Sequence, residues 1–120
     1  MRPERLGEAA EIIRALFSGE YVTFHGRHFQ VERAKLYDLP DRPPPIGIAV
    51  SGPDSVALAA RHADCMITVE PDAGLVRGFD EAAGPGKPKY GQLAVCYDRA
   101  EKTARERARD LWRWPYRAGT

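Results

Sequence analysis

Apolar residues first recur at Leu6, Ala9, Ala10, Ile13, Leu16 and Phe17, the spacing of one helical face. Pro3 suits a first helical turn, Glu4 its positive end, and Ser18-Gly19 a stop. The period then switches. Tyr21–His25 and His28–Val31 are β-rich runs flanking Gly26-Arg27, which predicts a hairpin with Gly26 at the positive φ of a type II′ turn. Residues 40–45, Pro-Asp-Arg-Pro-Pro-Pro, form a stiff extended connector that cannot be helix. It leads into Ile46-Gly-Ile-Ala-Val50, an apolar run suited to a strand covered on both faces. Ser51-Gly52-Pro53 breaks that strand, and Val56, Ala59, Ala60 and Ala63 mark a helix from Asp54 to His62. Cys65–Val69 reads as a second strand. Leu75, Val76, Phe79, Ala82 and Ala83 mark a helix stopped by Gly84-Pro85-Gly86. Tyr90–Tyr97 reads as a third strand. A last helix runs from about Asp98 to Trp112, with Ala100, Ala104, Ala108, Leu111 and Trp112 on its buried side and Pro115 ending it.

The order is therefore helix, hairpin, then βα three times, an α/β chain with a parallel sheet and right-handed crossovers. Its 120 residues carry no linker and no internal repeat, so residues 1–120 read as a single domain. Composition changes this picture little. At 43% hydrophobic, 29% charged and a net charge of +1, the chain is ordinary globular material with no pull toward nucleic acid or an acidic membrane. The longest apolar run, Val56–Ala60, is far short of the ~20 residues that span a bilayer. The opening Met-Arg-Pro-Glu-Arg-Leu has no apolar secretory core. Cys65 and Cys96 show no metal or redox spacing and read as buried thiols of a reducing, cytoplasmic protein.

Parallel α/β folds gather ligands at the carboxyl ends of their strands. Three such ends are visible: Ser51-Gly52-Pro53, Val69-Glu70-Pro71 and Tyr97-Asp98. The first points a helix N-terminus at the end of a strand, with Gly52 admitting close approach and the Ser51 and Ser55 hydroxyls as further donors, a pattern that suits a phosphate. A tight turn with proline at the first helical position explains the same residues. His25 and His28 lack the further ligands a metal needs, so they read as hairpin-tip residues and no metal site is expected. His62 reads as a solvated helix-end residue, and Asp64 as a partner of nearby backbone. Cys65 reads as a packed thiol, and Glu70 and Asp72 as a helix start. The interleaved acids and bases of the last helix fit a solvated, ion-paired face better than an RNA site. Trp112, Trp114 and Tyr116 suit core or interface roles.

The run Gly26-Arg-His-Phe-Gln-Val-Glu-Arg-Ala-Lys-Leu-Tyr37, the Leu39-Pro40 and triple proline, and Ile-Gly-Ile-Ala-Val-Ser-Gly-Pro53 resemble the luciferase-like flavin and deazaflavin oxidoreductases. The likeness is to the coenzyme F420-dependent branch, including the F420-dependent glucose-6-phosphate dehydrogenases. Ala63–Thr68 and Gly86–Gln92 fit the strands that follow, so the likeness covers roughly residues 4–114. The resemblance implies a (β/α)8 TIM barrel that binds F420 at its carboxyl face and moves a hydride to or from a small-molecule substrate, with FMN as the alternative cofactor. It implies that Ser51, Gly52, Asp54 and Ser55 contact the cofactor tail or phosphate. Val69 stands where the sugar-phosphate enzymes have a substrate-contacting threonine, and Asp72 where they have a phosphate-binding lysine. An acid there argues against glucose 6-phosphate as substrate. Cys65 replaces a glycine usual in the family. The family's catalytic histidine and its acid belong to an N-terminal half with no match in this sequence, so catalytic residues are unassigned.

Three βα units cannot close an eight-stranded sheet. The expectation is a C-terminal fragment, a partial barrel that is inactive alone and is homo-oligomeric in its full-length family. A non-catalytic partial-barrel module that pairs with another chain is the reading from a different class. Either way, open edges and bare helix faces predict a marginal or self-associating chain.

Overall fold

The computed structural model of the chain describes residues 2–69 and 71–111, so expectations for Glu70, Trp112, Trp114, Pro115 and Tyr116 lie outside the described residues. The elements follow the predicted order: α1 (Arg2–Leu16), β1 (Val22–His25), β2 (Gln30–Ala34), β3 (Gly47–Ala49), α2 (Pro53–His62), β4 (Cys65–Thr68), α3 (Ala73–Ala83), β5 (Lys89–Gly91) and α4 (Glu101–Leu111). Strands β1 and β2 form an antiparallel hairpin, and β3, β4 and β5 lie side by side in that order, all parallel.

The core lies between the three-stranded sheet and the α2–α3 layer. Ile48 and Val50 from β3 and its exit, and Met66 from β4, meet Val56, Ala59 and Ala63 along α2 and Leu75 and Phe79 on α3. Ala59, Met66 and Phe79 are fully buried. The two helices pack closely because Gly78 of α3 faces Val56, where an added Cβ would sit 3.6 Å from its Cγ1. On the other face of the sheet, Gly47 pairs with Cys65 across the β3–β4 ladder. A Cβ on Gly47 would lie 2.9 Å from Ile67 Cδ1 and 3.1 Å from Cys65 Sγ. The thiol is accommodated because the strand opposite has no side chain there.

Four expectations are corrected. The hairpin closes not through a two-residue type II′ turn at Gly26-Arg27 but through residues 26–29, with His25 opposite Gln30 and the Gly26 N–H donating to Phe29 O at 2.9 Å. Gly26 is not among the positive-φ glycines; what demands its missing side chain is the Glu8 carboxylate lying against it. The β5 strand stops at Gly91 instead of running from Tyr90 to Tyr97. Among the described residues its only neighbour is the four-residue β4, and the Gln92 N–H to Thr68 O bond at 2.8 Å ends the ladder. In α4 the expected buried side is left largely open: among its described residues Ala104 and Ala108 are half-buried, none is buried, and Leu111 is 71% exposed. Helix α1 buries only its small residues, Gly7 and Ala10, against the body, while Leu6 and Ile13 remain exposed. The partial (β/α)8 barrel stands as an open α/β sheet, with β3 and β5 at its edges.

Candidate functional site at the strand carboxyl ends

The loop after β3 is built around one hydroxyl. Ser55, in the first turn of α2, accepts the Ser51 N–H at 2.9 Å and the Gly52 N–H at 3.1 Å through Oγ, and donates to Gly52 O at 2.9 Å. Gly52 is the N-cap, in extended backbone that any residue adopts, and Val56 N–H closes the first helical bond onto its carbonyl at 3.0 Å. The glycine is not needed for packing: nothing lies within 4 Å of where its Cβ would be. Pro53 has no N–H to offer, which leaves Asp54 and Ser55 as the first-turn donors that a helix cannot satisfy by itself. The structure therefore brings Ser51, Gly52 and Ser55 into one preorganised loop with open space above its backbone. The Asp54 side chain is set apart from them. It lines a cleft between α1 and α2 together with Gly7, Arg61 and His62.

A second concavity of about 560 Å³ lies at the carboxyl ends of β4 and β5 against α3. Its walls include Thr68, Val69, Asp72, Val76, Tyr90 and Leu93. Val69, 64% exposed, stands at this cleft and not at the Ser51–Ser55 loop. Asp72 caps α3 by accepting the Gly74 N–H at 2.7 Å, as a helix-start acid should.

The remaining candidates turn out to be structural. Among the described residues no cluster of His, Cys, Asp and Glu could hold a metal. His25 Nδ1 lies 2.8 Å from Gln30 Oε1, and its Nε2 is 3.3 Å from Glu32. His28 instead reaches Glu4, 3.1 Å away on α1. His62 is not the solvated residue expected. Its side chain is only 12% exposed, packed over Gly7 with Nδ1 3.6 Å from Glu11 Oε1, because α1 lies across the end of α2. Asp64 holds backbone as expected: it accepts the Ile46 N–H at 2.8 Å and is gripped by Arg14, which also donates to His62 O at 2.9 Å. The Ile46 hydrogen bond first, then Arg14 against the opposing effect of burial, hold the Asp64 carboxyl below its usual range. Cys65 is buried as expected, whereas Cys96 is only half-buried; both are free thiols.

Sequence reasoning missed how the hairpin is held. The Glu8 carboxylate accepts the backbone N–H groups of Arg27, His28 and Phe29 at 2.9–3.3 Å. Burial alone would raise its pKa, and the three amide donors outweigh that and lower it. Glu4 is lowered by its hydrogen bond to His28 and then by Arg27, 3.4 Å away. The available signal was Glu4, Glu8 and Glu11 at helical spacing around Gly7, an acidic stripe on the face of α1 that turns inward.

The family model for luciferase-like monooxygenases matches residues 1–119. The chain belongs to that family. Among relatives of this luciferase-like chain, the F420-dependent hydroxymycolic acid dehydrogenase of Mycobacterium tuberculosis is 41% identical over 120 aligned residues, 94% of this chain and 33% of the relative. An F420-dependent glucose-6-phosphate dehydrogenase of Nakamurella multipartita is 45% identical over 64 residues, 53% of this chain and 19% of the relative. A solved F420-dependent secondary alcohol dehydrogenase, in complex with an F420-acetone adduct, superposes with a TM-score of 0.78 at 28% identity, covering 90% of this chain and 36% of that one. The luciferase-like chain thus spans about a third of the length of the hydroxymycolic acid dehydrogenase and of the secondary alcohol dehydrogenase.

Proposed function

We propose that this chain is part of an F420-dependent luciferase-like oxidoreductase and contributes the region that holds the cofactor tail. The observation that carries the reading is the 41% identity, over nearly the whole chain, to a relative named as an F420-dependent dehydrogenase. The loop after β3 supports it physically. Its backbone is open above Gly52, it is fixed in advance by Ser55, and it is set at the positive end of α2. In this reading the Ser51 hydroxyl and the N–H groups of Asp54 and Ser55 bind a phosphate of the tail, and Gly52 leaves room for it. The deazaflavin, when bound, exchanges a hydride with the substrate. Residues outside this chain hold the ring and move the proton, and Val69 contacts the substrate at the edge of the β4–β5 cleft.

Asp72 stands at that same cleft. Its negative charge disfavours a substrate phosphate and supports a small uncharged organic substrate. Two free thiols fit a reducing cytoplasm. A second reading, a non-catalytic partial-barrel module that pairs with another chain, is favoured by the bare apolar segment after β5, where Leu93, Val95 and Tyr97 are 80%, 72% and 85% exposed. Fluorescence titration of the chain with F420, and in parallel with FMN, separates the readings. The F420 reading expects saturable F420 binding that inorganic pyrophosphate displaces. Binding of FMN alone would move the assignment to an FMN enzyme, and binding of neither would favour the module.

A further inference from the structure

We propose that the outer face of the β1–β2 hairpin binds a small molecule carrying a phosphate beside a planar ring, through Tyr21, Arg33, Lys35 and Tyr37. A bulge builds this face. Val22 stands opposite Ala34 and Phe24 opposite Val31, so a step of two residues in β1 is matched by a step of three in β2. Val22, Phe24, Val31 and Ala34 are the covered positions, and Glu32 and Arg33 are exposed in succession. Among the described residues Arg33 is the only non-glycine with a left-handed φ, at 46°. Strict alternation from Val31 would have turned Arg33 and Lys35 toward the covered side. The bulge turns them outward, and Lys35 comes to lie beside Tyr21.

Two cations are gathered about one ring. Lys35 Nζ lies 5.0 Å from the Tyr21 ring centroid and 5.5 Å from that of Tyr37, and the Arg33 guanidinium carbon lies 5.6 Å from the Tyr21 centroid. Among the described residues neither cation has an ion-pair partner, and the neighbouring Glu32 is drawn to His25 instead, at 3.3 Å. Held this way the two like charges repel, a cost that an anion between them removes. The Tyr21 and Tyr37 hydroxyls are 3.4 Å apart, so one donates to the other and the second keeps a proton to give. The hydrogen bond with Tyr37, then burial, raises the Tyr21 phenol above its ordinary value and keeps it a donor at neutral pH. An ammonium, a guanidinium and a phenolic O–H suit the several acceptor oxygens of a phosphate better than the two of a carboxylate. Tyr37 is exposed, which leaves ring surface for a planar group to stack. Because both cations already rest on tyrosine rings, binding orders few further side chains. None of these residues belongs to the Ser51–Ser55 loop, so this site stands independently of the cofactor reading.

Adenosine monophosphate is the probe, with inorganic phosphate and adenosine as its separate halves. In an NMR titration of the 120-residue chain, adenosine monophosphate should give saturable shifts at Tyr21, Arg33, Lys35 and Tyr37. Either half alone should bind several-fold more weakly. Arg33→Gly accepts the left-handed backbone without steric cost and removes the guanidinium, so it should weaken binding several-fold while the urea midpoint does not fall. Lys35→Gln keeps much of the stem and loses the charge, and should weaken binding as much. Absence of saturable shifts on this face overturns the proposal, as does phosphate binding as tightly as adenosine monophosphate. Undiminished binding by both variants overturns it as well.

Discussion

Glu8 carries more of the architecture than any residue singled out for chemistry. Three amides of the hairpin loop converge on its carboxylate, so the hairpin is tied to α1 through an anion it encloses. Glu8→Ala should leave those amides to water, and hydrogen exchange at Arg27, His28 and Phe29 should speed up while the α2–α3 core stays protected. Unchanged exchange would remove the anchor from the account. Glu4, Glu8 and Asp64 all have lowered pKa values, which fixes a sign. Groups more acidic when folded stabilise the fold fully above their unfolded values, near pH 4, and lose that contribution as pH falls through the folded ones. Urea midpoints should therefore be level at neutral pH and fall on the acid side of about pH 4. Asp64→Asn should flatten that acid limb. Across the sheet, the thiol of Cys65 and the empty side of Gly47 are a matched pair. Gly47→Val should cost about 1–3 kcal/mol by overpacking, and Cys65→Ala should recover part of it. A double-mutant cycle showing no coupling would contradict the pairing.

Among the elements, the α2–α3 pair on β3 and β4 is the stable unit, and Phe79 is its centre. Phe79→Ala should cost about 3–5 kcal/mol, a large part of the roughly 5–15 kcal/mol that holds a domain together. Chemical denaturation reads this directly. The sequence disclosed this unit well because each of its faces is buried locally: Val56, Ala59, Leu75 and Phe79 repeat at helical spacing and meet strands only a few residues away. It disclosed β5 and α4 poorly for the opposite reason. Tyr90–Tyr97 has strand-like content, but a strand needs a neighbour, and β4 ends at Thr68. The apolar stripe of α4 was legible; whether anything covers it was not. The β1–β2 hairpin was legible in outline, while its bulge was not. Arg33 takes a left-handed φ of 46° there, with its N–H donating to Thr23 Oγ1 at 3.2 Å, a conformation no arginine advertises. In the candidate site, the phosphate-like turn could be read from Ser51-Gly52-Pro53, whereas the use of the Ser55 hydroxyl inside the loop depends on atomic geometry.

At the scale of the molecule, the chain is open. Its Cα radius of gyration is 18.9 Å, against about 14 Å for a compact domain of this length. Among the described residues the sheet has two unpaired edges, and Val69 and Tyr90 stand 64% and 57% exposed, where a closed barrel would enclose its strands. Light scattering should show self-association that grows with concentration. Val69→Lys with Tyr90→Lys should reduce it, and a strictly monomeric wild-type chain would contradict this reading. The same openness bears on function. A chain matching a third of its relatives can present the loop after β3, the proposed seat of the cofactor tail, without the rest of the site, so binding is the property to measure before turnover. The most direct measurement is an NMR titration of the chain with F420, following backbone amides residue by residue. Shifts should appear at Ser51, Gly52, Asp54 and Ser55 and disappear in Gly52→Asp, where a second carboxylate would fill the open space above the loop. Silent amides there, with the shifts appearing instead along the Thr68–Leu93 cleft, would contradict it.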